Sequence, residues 1–180
     1  MKKIIALLWL ATLTTTLNAQ KAQMLFFGIV EEGVLTDPSG DGGKKKKQKP
    51  QPMENVKVHV YCGGELISSN ESKENGFFGV LLKSGANYEV VFEKEGYFSR
   101  KYEMNCRKLE RPTDGGALKC QLDIELYKAV DSAELNGLSE KPYGVCAVTR
   151  TEIQWNHELA AKNRIAFFEL AQPHYFQNRK

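Results

Sequence analysis

With 180 residues, 25 basic and 22 acidic side chains, the chain is sized for one domain or one domain with an appendage, and its formal net charge is +3. Lys2 and Lys3 belong to a leader, and without them the basic count falls to 23 against 22 acids, so nothing global argues for a nucleic-acid partner. About 160 residues remain after the leader, enough to bury a sizeable hydrophobic core.

Residues 1–19 have the three parts of a secretory signal: Lys2-Lys3, an apolar run over 4–13, and a polar Thr14-Thr15-Thr16 leading to Leu17-Asn18-Ala19. The apolar run is shorter than the roughly 20 residues that span a bilayer, so cleavage after Ala19 is expected in preference to a membrane anchor. No later segment is apolar for long enough to span. The mature chain is therefore expected to be exported, soluble and not membrane-spanning.

After a first strand around Phe27-Gly28-Ile29-Val30, residues 31–54 read as a long loop. It runs from Asp37-Pro38-Ser39-Gly40 through Lys44, Lys45, Lys46, Lys47 and Lys49 to Pro50-Gln51-Pro52. Glycine, proline and repelling like charges give it no periodicity and nothing to bury. The bland reading is a solvated insertion. The sharper one makes these five lysines a partner-binding patch for an acidic protein or an anionic surface, where each lysine contributes on the order of 1 kcal/mol at low screening.

Residues 55–105 read as short, half-buried strands. Val56, Val58 and Val60 alternate with Lys57, His59 and Tyr61, the period of two that places one strand face on a core. Cys62 continues the apolar parity. Gly63-Gly64 then supplies a tight reversal into a partner strand over 65–69. Asn75-Gly76 turns into a strand over 77–82, and Gly85-Ala86-Asn87 separates it from another over 88–93. Gly96 marks the next boundary. A strand over 99–106 puts Tyr102, Met104 and Cys106 on one face, and one over 118–127 does the same for Leu122, Ile124 and Leu126. Strands in series without interleaved helices predict a mainly β sandwich or barrel.

The ordered set Phe27-Gly28-Ile29-Val30, Glu54-Asn55-Val56-Lys57-Val58-His59-Val60, Asn75-Gly76-Phe77-Phe78, Tyr88-Glu89-Val90-Val91-Phe92 and Lys94-Glu95-Gly96-Tyr97 resembles the carboxypeptidase regulatory-like domain. The resemblance covers residues 24–128. It implies a seven-stranded, Greek-key, prealbumin-like sandwich that binds or spaces instead of catalysing, set in a bacterial envelope protein. The periplasm is thereby favoured over the medium. The lysine-rich loop departs from the family pattern, in which that connection is short. The C-terminal Tyr-Arg-Gly-Ser signature of the hydrolases with this fold is absent.

Four cysteines in an exported chain, Cys62, Cys106, Cys120 and Cys146, allow three fully paired connectivities. Cys106 and Cys120 bracket a loop between strands, so their joining is the local expectation, leaving Cys62 with Cys146. Closing the shorter loop would stabilise by roughly 3 kcal/mol in the chain-entropy model. The alternative is four free, inward-packed thiols. No Cys-x-x-Cys is present, so no metal site is expected.

Beyond Lys128, residues 131–141 are polar and broken by Gly137, and read as a connector. A strand over 143–148 follows. Asn156 is placed to cap a helix over 157–171, with Trp155, Leu159, Ala166, Phe167 and Leu170 on its apolar stripe and Pro173 as its stop. The stripe is expected to bury on the chain's own sandwich before any other protein.

No catalytic constellation emerges. His59, His157 and His174 share no spacing that would bring them together, and His59 falls on an outward strand parity, as an exposed histidine would. Glu31-Glu32 are adjacent and so point opposite ways on a strand, unsuited to acid and base partnership. No serine stands in a Gly-x-Ser-x-Gly elbow, and residues 40–43 lack the Gly-Lys-Ser/Thr ending of a phosphate loop. No cofactor is implied. The expected organisation is a signal over 1–19, a sandwich over 20–128 and an extension with one strand and one amphipathic helix over 129–180. The expected role is a non-catalytic envelope module acting through protein contacts; the competing reading is a glycan or small-molecule binder, or a cryptic hydrolase on a transthyretin-like fold.

Overall fold

The computed structural model describes residues 21–34 and 49–176; the segment expected to be a signal and most of the lysine-rich segment lie outside them. Two sheets face each other across one principal core. In the first, β1 (Gln23–Glu32) is central: β5 (Phe77–Lys83) and the two-residue β2 (Gln51–Pro52) pair along one side of it. Along the other side lie β8 (Leu118–Gln121) and β9 (Ile124–Leu126), both parallel to it. The second sheet contains β3 (Lys57–Cys62), β4 (Glu65–Glu71), β6 (Asn87–Glu93), β7 (Arg100–Leu109), β10 (Pro142–Arg150) and β11 (Glu152–Trp155), in the order β11-β10-β7-β6-β3-β4. The mainly β sandwich is as expected. The count is not seven, because eleven strands form among the described residues.

Alternation builds the core. Met24, Phe26 and Val30 of β1 are fully buried, as are Val56 and Val58, while Lys57 faces water. Aromatic edges lock the two sheets together: Phe26 meets Phe78 at 5.3 Å between centroids, Phe78 meets Phe92 at 4.8 Å, and Phe92 meets Tyr102 at 5.9 Å. Each such edge-to-face pair contributes about 1 kcal/mol beyond area burial.

Several local expectations are corrected. The single strand over 118–127 breaks at Leu122-Asp123, where the chain crosses Gly28 so closely that a Cβ there would lie 2.0 Å from the Leu122 carbonyl oxygen. Leu122 donates its N–H to the Phe27 carbonyl at 3.0 Å, and Asp123 Oδ1 accepts from the Ile29 N–H at 2.9 Å, so β1 holds the break in place. The polar connector contains a short helix, α1 (Ala133–Ser139), capped by Ser132. Leu135 anchors it by complete burial. Finally, Trp155 is not on a helix: it closes β11, opposite Cys146, and packs on the main core.

Asn156 caps α2 (His157–Phe176) as expected, its Oδ1 accepting the Leu159 N–H at 2.9 Å. Pro173 does not stop α2. Proline removes one main-chain bond from the last turn, but Ala171 is fully buried before it and the Tyr175 hydroxyl donates to the Lys128 carbonyl after it, so contacts hold both sides. Phe167 and Ala171 join Phe98, Tyr127 and Leu135 in a second apolar cluster, which seats α2 on its own sandwich. Among the described residues no helix is long and apolar enough to cross a membrane.

Candidate functional site

Of the lysines proposed as a partner patch, Lys44, Lys45, Lys46 and Lys47 lie outside the described residues, and Lys49 is exposed. Glu31 pairs with Pro52 on one side and Glu125 on the other, so β2, with Lys49 just before it, lies on the β5 side of β1.

All four cysteines are free thiols, so neither expected bridge is formed. Cys62, Tyr88, Met104 and Cys146 stand in one row across β3, β6, β7 and β10. Three strand spacings separate the ends of that row by roughly 14 Å, beyond the reach of a disulfide. Cys106 and Cys120 face the core from opposite sheets, and Cys120 has Cys146 as a neighbour there. Burial, with Cys146 nearby, pushes the Cys106 thiol up to about 12. The neighbouring Cys146 thiol and burial both raise Cys120.

His59 is also corrected. Its side chain is only 16% exposed, with Nε2 3.6 Å from Glu93 and Nδ1 without a partner among the described residues. It stands between Ser69 and Val91 of the flanking strands, which cover what parity alone assigned to water.

Arg100 was invisible as a site in the sequence. It is 3% exposed, its guanidinium lying 4.1 Å from the Tyr143 ring centroid and 4.2 Å from that of Phe167. Nε donates to the Glu125 carbonyl at 3.4 Å, while Nη2 has no partner among the described residues. Burial lowers its pKa, and the surrounding tyrosines and Glu125 oppose that effect.

Above this cation, the first turns of α2 and the sandwich enclose a cleft of about 480 Å³. The Asn163 side-chain amide donates to the Pro142 carbonyl at 2.7 Å and fixes the helix over β10. Tyr102, Tyr143 and Trp155 line the cleft, with Tyr102 at 6.0 Å from Tyr143 and 6.3 Å from Trp155 between centroids. Gly144 makes room for them, since a Cβ there would press on the Tyr102 ring at 3.1 Å. Glu31, Asp123 and Glu125 form one wall. Glu31 and Glu125 are direct partners across β1 and β9, an unfavourable juxtaposition of like charges. Partial burial, then Asp123 and Glu125, raise the Glu31 carboxyl pKa. Tyr127 donates its hydroxyl to Glu125 Oε2 at 2.6 Å.

A different surface lies on the opposite side of β1. Among the described residues no strand pairs with the far side of β5, and its register with β1 runs unbroken from Gln23↔Lys83 to Ile29↔Phe77. Leu81 is 51% exposed. Beside it, Leu25, Phe27 and Ile29 leave a half-buried apolar stripe, with Phe27 and Phe77 at 6.5 Å between centroids. The edge of the other sheet, β4, exposes Leu66 and Ile67, but a register shift interrupts its pairing with β3. A bulge of that kind blunts an edge against added strands. β5 has no such device.

No family model matches the chain, and no curated protein matches it. Among solved structures, the chain is similar to 3-chlorocatechol 1,2-dioxygenase from Rhodococcus opacus 1CP over 61% of its own length and 61% of that chain, at 14% identity and a TM-score of 0.40. It is similar to the Bacillus anthracis TIE protein over 60% of its length and 18% of that chain, at 12% identity and a TM-score of 0.38. The chain thus spans less than two thirds of either protein.

Proposed function

We propose that this chain is a non-catalytic, exported module of the bacterial cell envelope that acts by taking an extended segment of a partner protein onto β5. The observation that carries this reading is the unpaired, bulge-free edge of β5 with Leu81 exposed at its centre. An edge offers main-chain donors and acceptors to an added strand, and alternate side chains then read the partner's sequence. Lys73, whose ammonium sits 5.5 Å from the Phe77 ring centroid, and Lys83 mark the two ends of β5, and Lys49 approaches from the β2 side. The partner segment is therefore apolar at alternate positions and flanked by acidic residues. The lysine-rich segment over 44–49 would add long-range attraction to the same acidic flanks. The resemblance to carboxypeptidase regulatory-like domains supports a module of this kind.

A photo-crosslinking residue placed at position 81, compared with one at Lys108 on β7, tests it in cells that export the protein. The expected result is an adduct of one defined mass from position 81 only, lost when Lys73 and Lys83 are both changed to Glu. Adducts from both positions alike, or an adduct of twice the chain's own mass, would sink the reading, the latter in favour of pairing between copies.

A further inference from the structure

We infer that the cleft under α2 binds a zwitterionic small molecule with an aromatic body, of the size of an amino acid or dipeptide. This does not rest on the β5 reading. The cleft's volume of about 480 Å³ lies within the range of small-molecule sites. Tyr102, Tyr143 and Trp155 offer a flat apolar body stacking and edge contacts. Tyr102 is the second observation. It is 5% exposed and lines the cleft, yet among the described residues its hydroxyl takes part in no hydrogen bond. Unpaired within the described residues, that hydroxyl is free to pair with a polar group of a bound molecule.

The charges are arranged in two groups. Glu31, Asp123 and Glu125 belong to β1, β9 and the turn before it, whereas Arg164 and His157 come from α2. Among the described residues no ion pair joins these groups, the four that form being elsewhere. Two of the acids have partners of their own, Asp123 with the Ile29 N–H and Glu125 with the Tyr127 hydroxyl. Glu31 has none among the described residues and carries the repulsion of both neighbours. An ammonium at Glu31 would relieve that repulsion. Arg164, held over the Phe168 ring at 5.4 Å, is left to meet a carboxylate with the paired donors of its guanidinium. Among the described residues no group of three or more metal-ligating side chains is placed to hold an ion.

The test is calorimetric titration of the full mature chain with three indoles that share a body and differ in charge: tryptophan, tryptamine and indole-3-propionate. Tryptophan is expected to bind at least roughly tenfold tighter than either singly charged compound, the ratio that one lost charge-assisted hydrogen bond gives. Glu31→Gln should weaken tryptophan and tryptamine and leave indole-3-propionate unchanged. Arg164→Gln should weaken tryptophan and indole-3-propionate and leave tryptamine unchanged. Glu31 is half-buried near the end of β1 and Arg164 is exposed on α2, and a cooperative melting transition in the absence of ligand, at a temperature no lower than that of the parent chain, confirms that each variant folds. Equal affinity for the three compounds, insensitivity to both substitutions, or no heat with any of them at millimolar concentration overturns the inference.

Discussion

The guanidinium of Arg100 lies 4.2 Å from the ring centroid of Phe167, so the one buried cation among the described residues is also what the C-terminal helix packs against. Tyr143 at 4.1 Å and Tyr127 at 5.4 Å complete an aromatic surround, and among the described residues no carboxylate forms an ion pair with the guanidinium. Stacking and the Glu125 carbonyl therefore compensate a charge that water no longer solvates. Arg100→Ala removes the stacked group and leaves a cavity between three rings, and should cost about 3 kcal/mol. Arg100→Met keeps the volume and removes the desolvated charge with its orphan Nη2, and should be neutral or stabilising. Urea denaturation midpoints of the two variants check this; equal losses would mean that the charge itself is needed.

The thiols give a graded reactivity. Cys106 and Cys146 are fully buried and Cys120 is 2% exposed, whereas Cys62 is half-buried at the end of β3 beside Gly63. A thiol-disulfide probe should modify Cys62 alone in the native protein and all four in denaturant. When the reduced, unfolded chain refolds with glutathione disulfide as oxidant, peptide mapping should find Cys120 joined to Cys146, not to Cys106.

Three glycines should respond to alanine in a fixed order. At Gly28 a Cβ would lie 2.0 Å from the Leu122 carbonyl oxygen, with β1 and the break before β9 both unable to withdraw. At Gly76 a positive φ of 74° is joined to a Cβ contact of 2.5 Å with the Val30 carbonyl oxygen. At Gly64, φ is 85° and the space is open, leaving a conformational cost of about 1 kcal/mol. Gly28→Ala and Gly76→Ala should each lower the melting temperature by clearly more than Gly64→Ala, as thermal denaturation would show.

Glu31 sets a pH dependence. Its carboxyl pKa is raised in the folded chain, first by partial burial and then by Asp123 and Glu125. The folded state thus binds the proton more tightly than the unfolded one. The ionised form opposes folding, and that penalty grows as pH rises from the unfolded pKa through the folded one. Glu31→Gln should raise the melting temperature at neutral pH, and the gain should vanish below the unfolded pKa, where the carboxyl is protonated in both states. A gain independent of pH would assign the effect to packing instead of charge.

Much of the sandwich was legible because its strands announce themselves locally. Val56, Val58 and Val60 are buried as their alternation demands, and Gly63, Gly64, Gly76 and Gly85 all adopt the positive φ that makes glycine a turn residue. The errors arose where distant segments intervene. Residues 118–127 alternate well enough for one strand, and only the close crossing over Gly28 breaks them in two. Trp155 lies at a spacing that fits the helix stripe, yet pairing with Cys146 places it in a sheet. His59 has outward parity, yet Ser69 and Val91 on the neighbouring strands leave its side chain little water.

The cleft was not legible at all. Glu31 and Glu125 are 94 residues apart and become neighbours through a parallel pairing that carries no local signal, and Arg164 reaches the same space only because α2 folds back over β10. The order of residues alone determined the class of fold, its turns and the capped start of its last helix, since those depend on side-chain period and backbone conformation within a few positions. Tertiary structure decided which thiols meet, which edge stays open, and which charges face one another. Those outcomes depend on strand order, and strand order follows from burying one common core, to which every segment contributes at once.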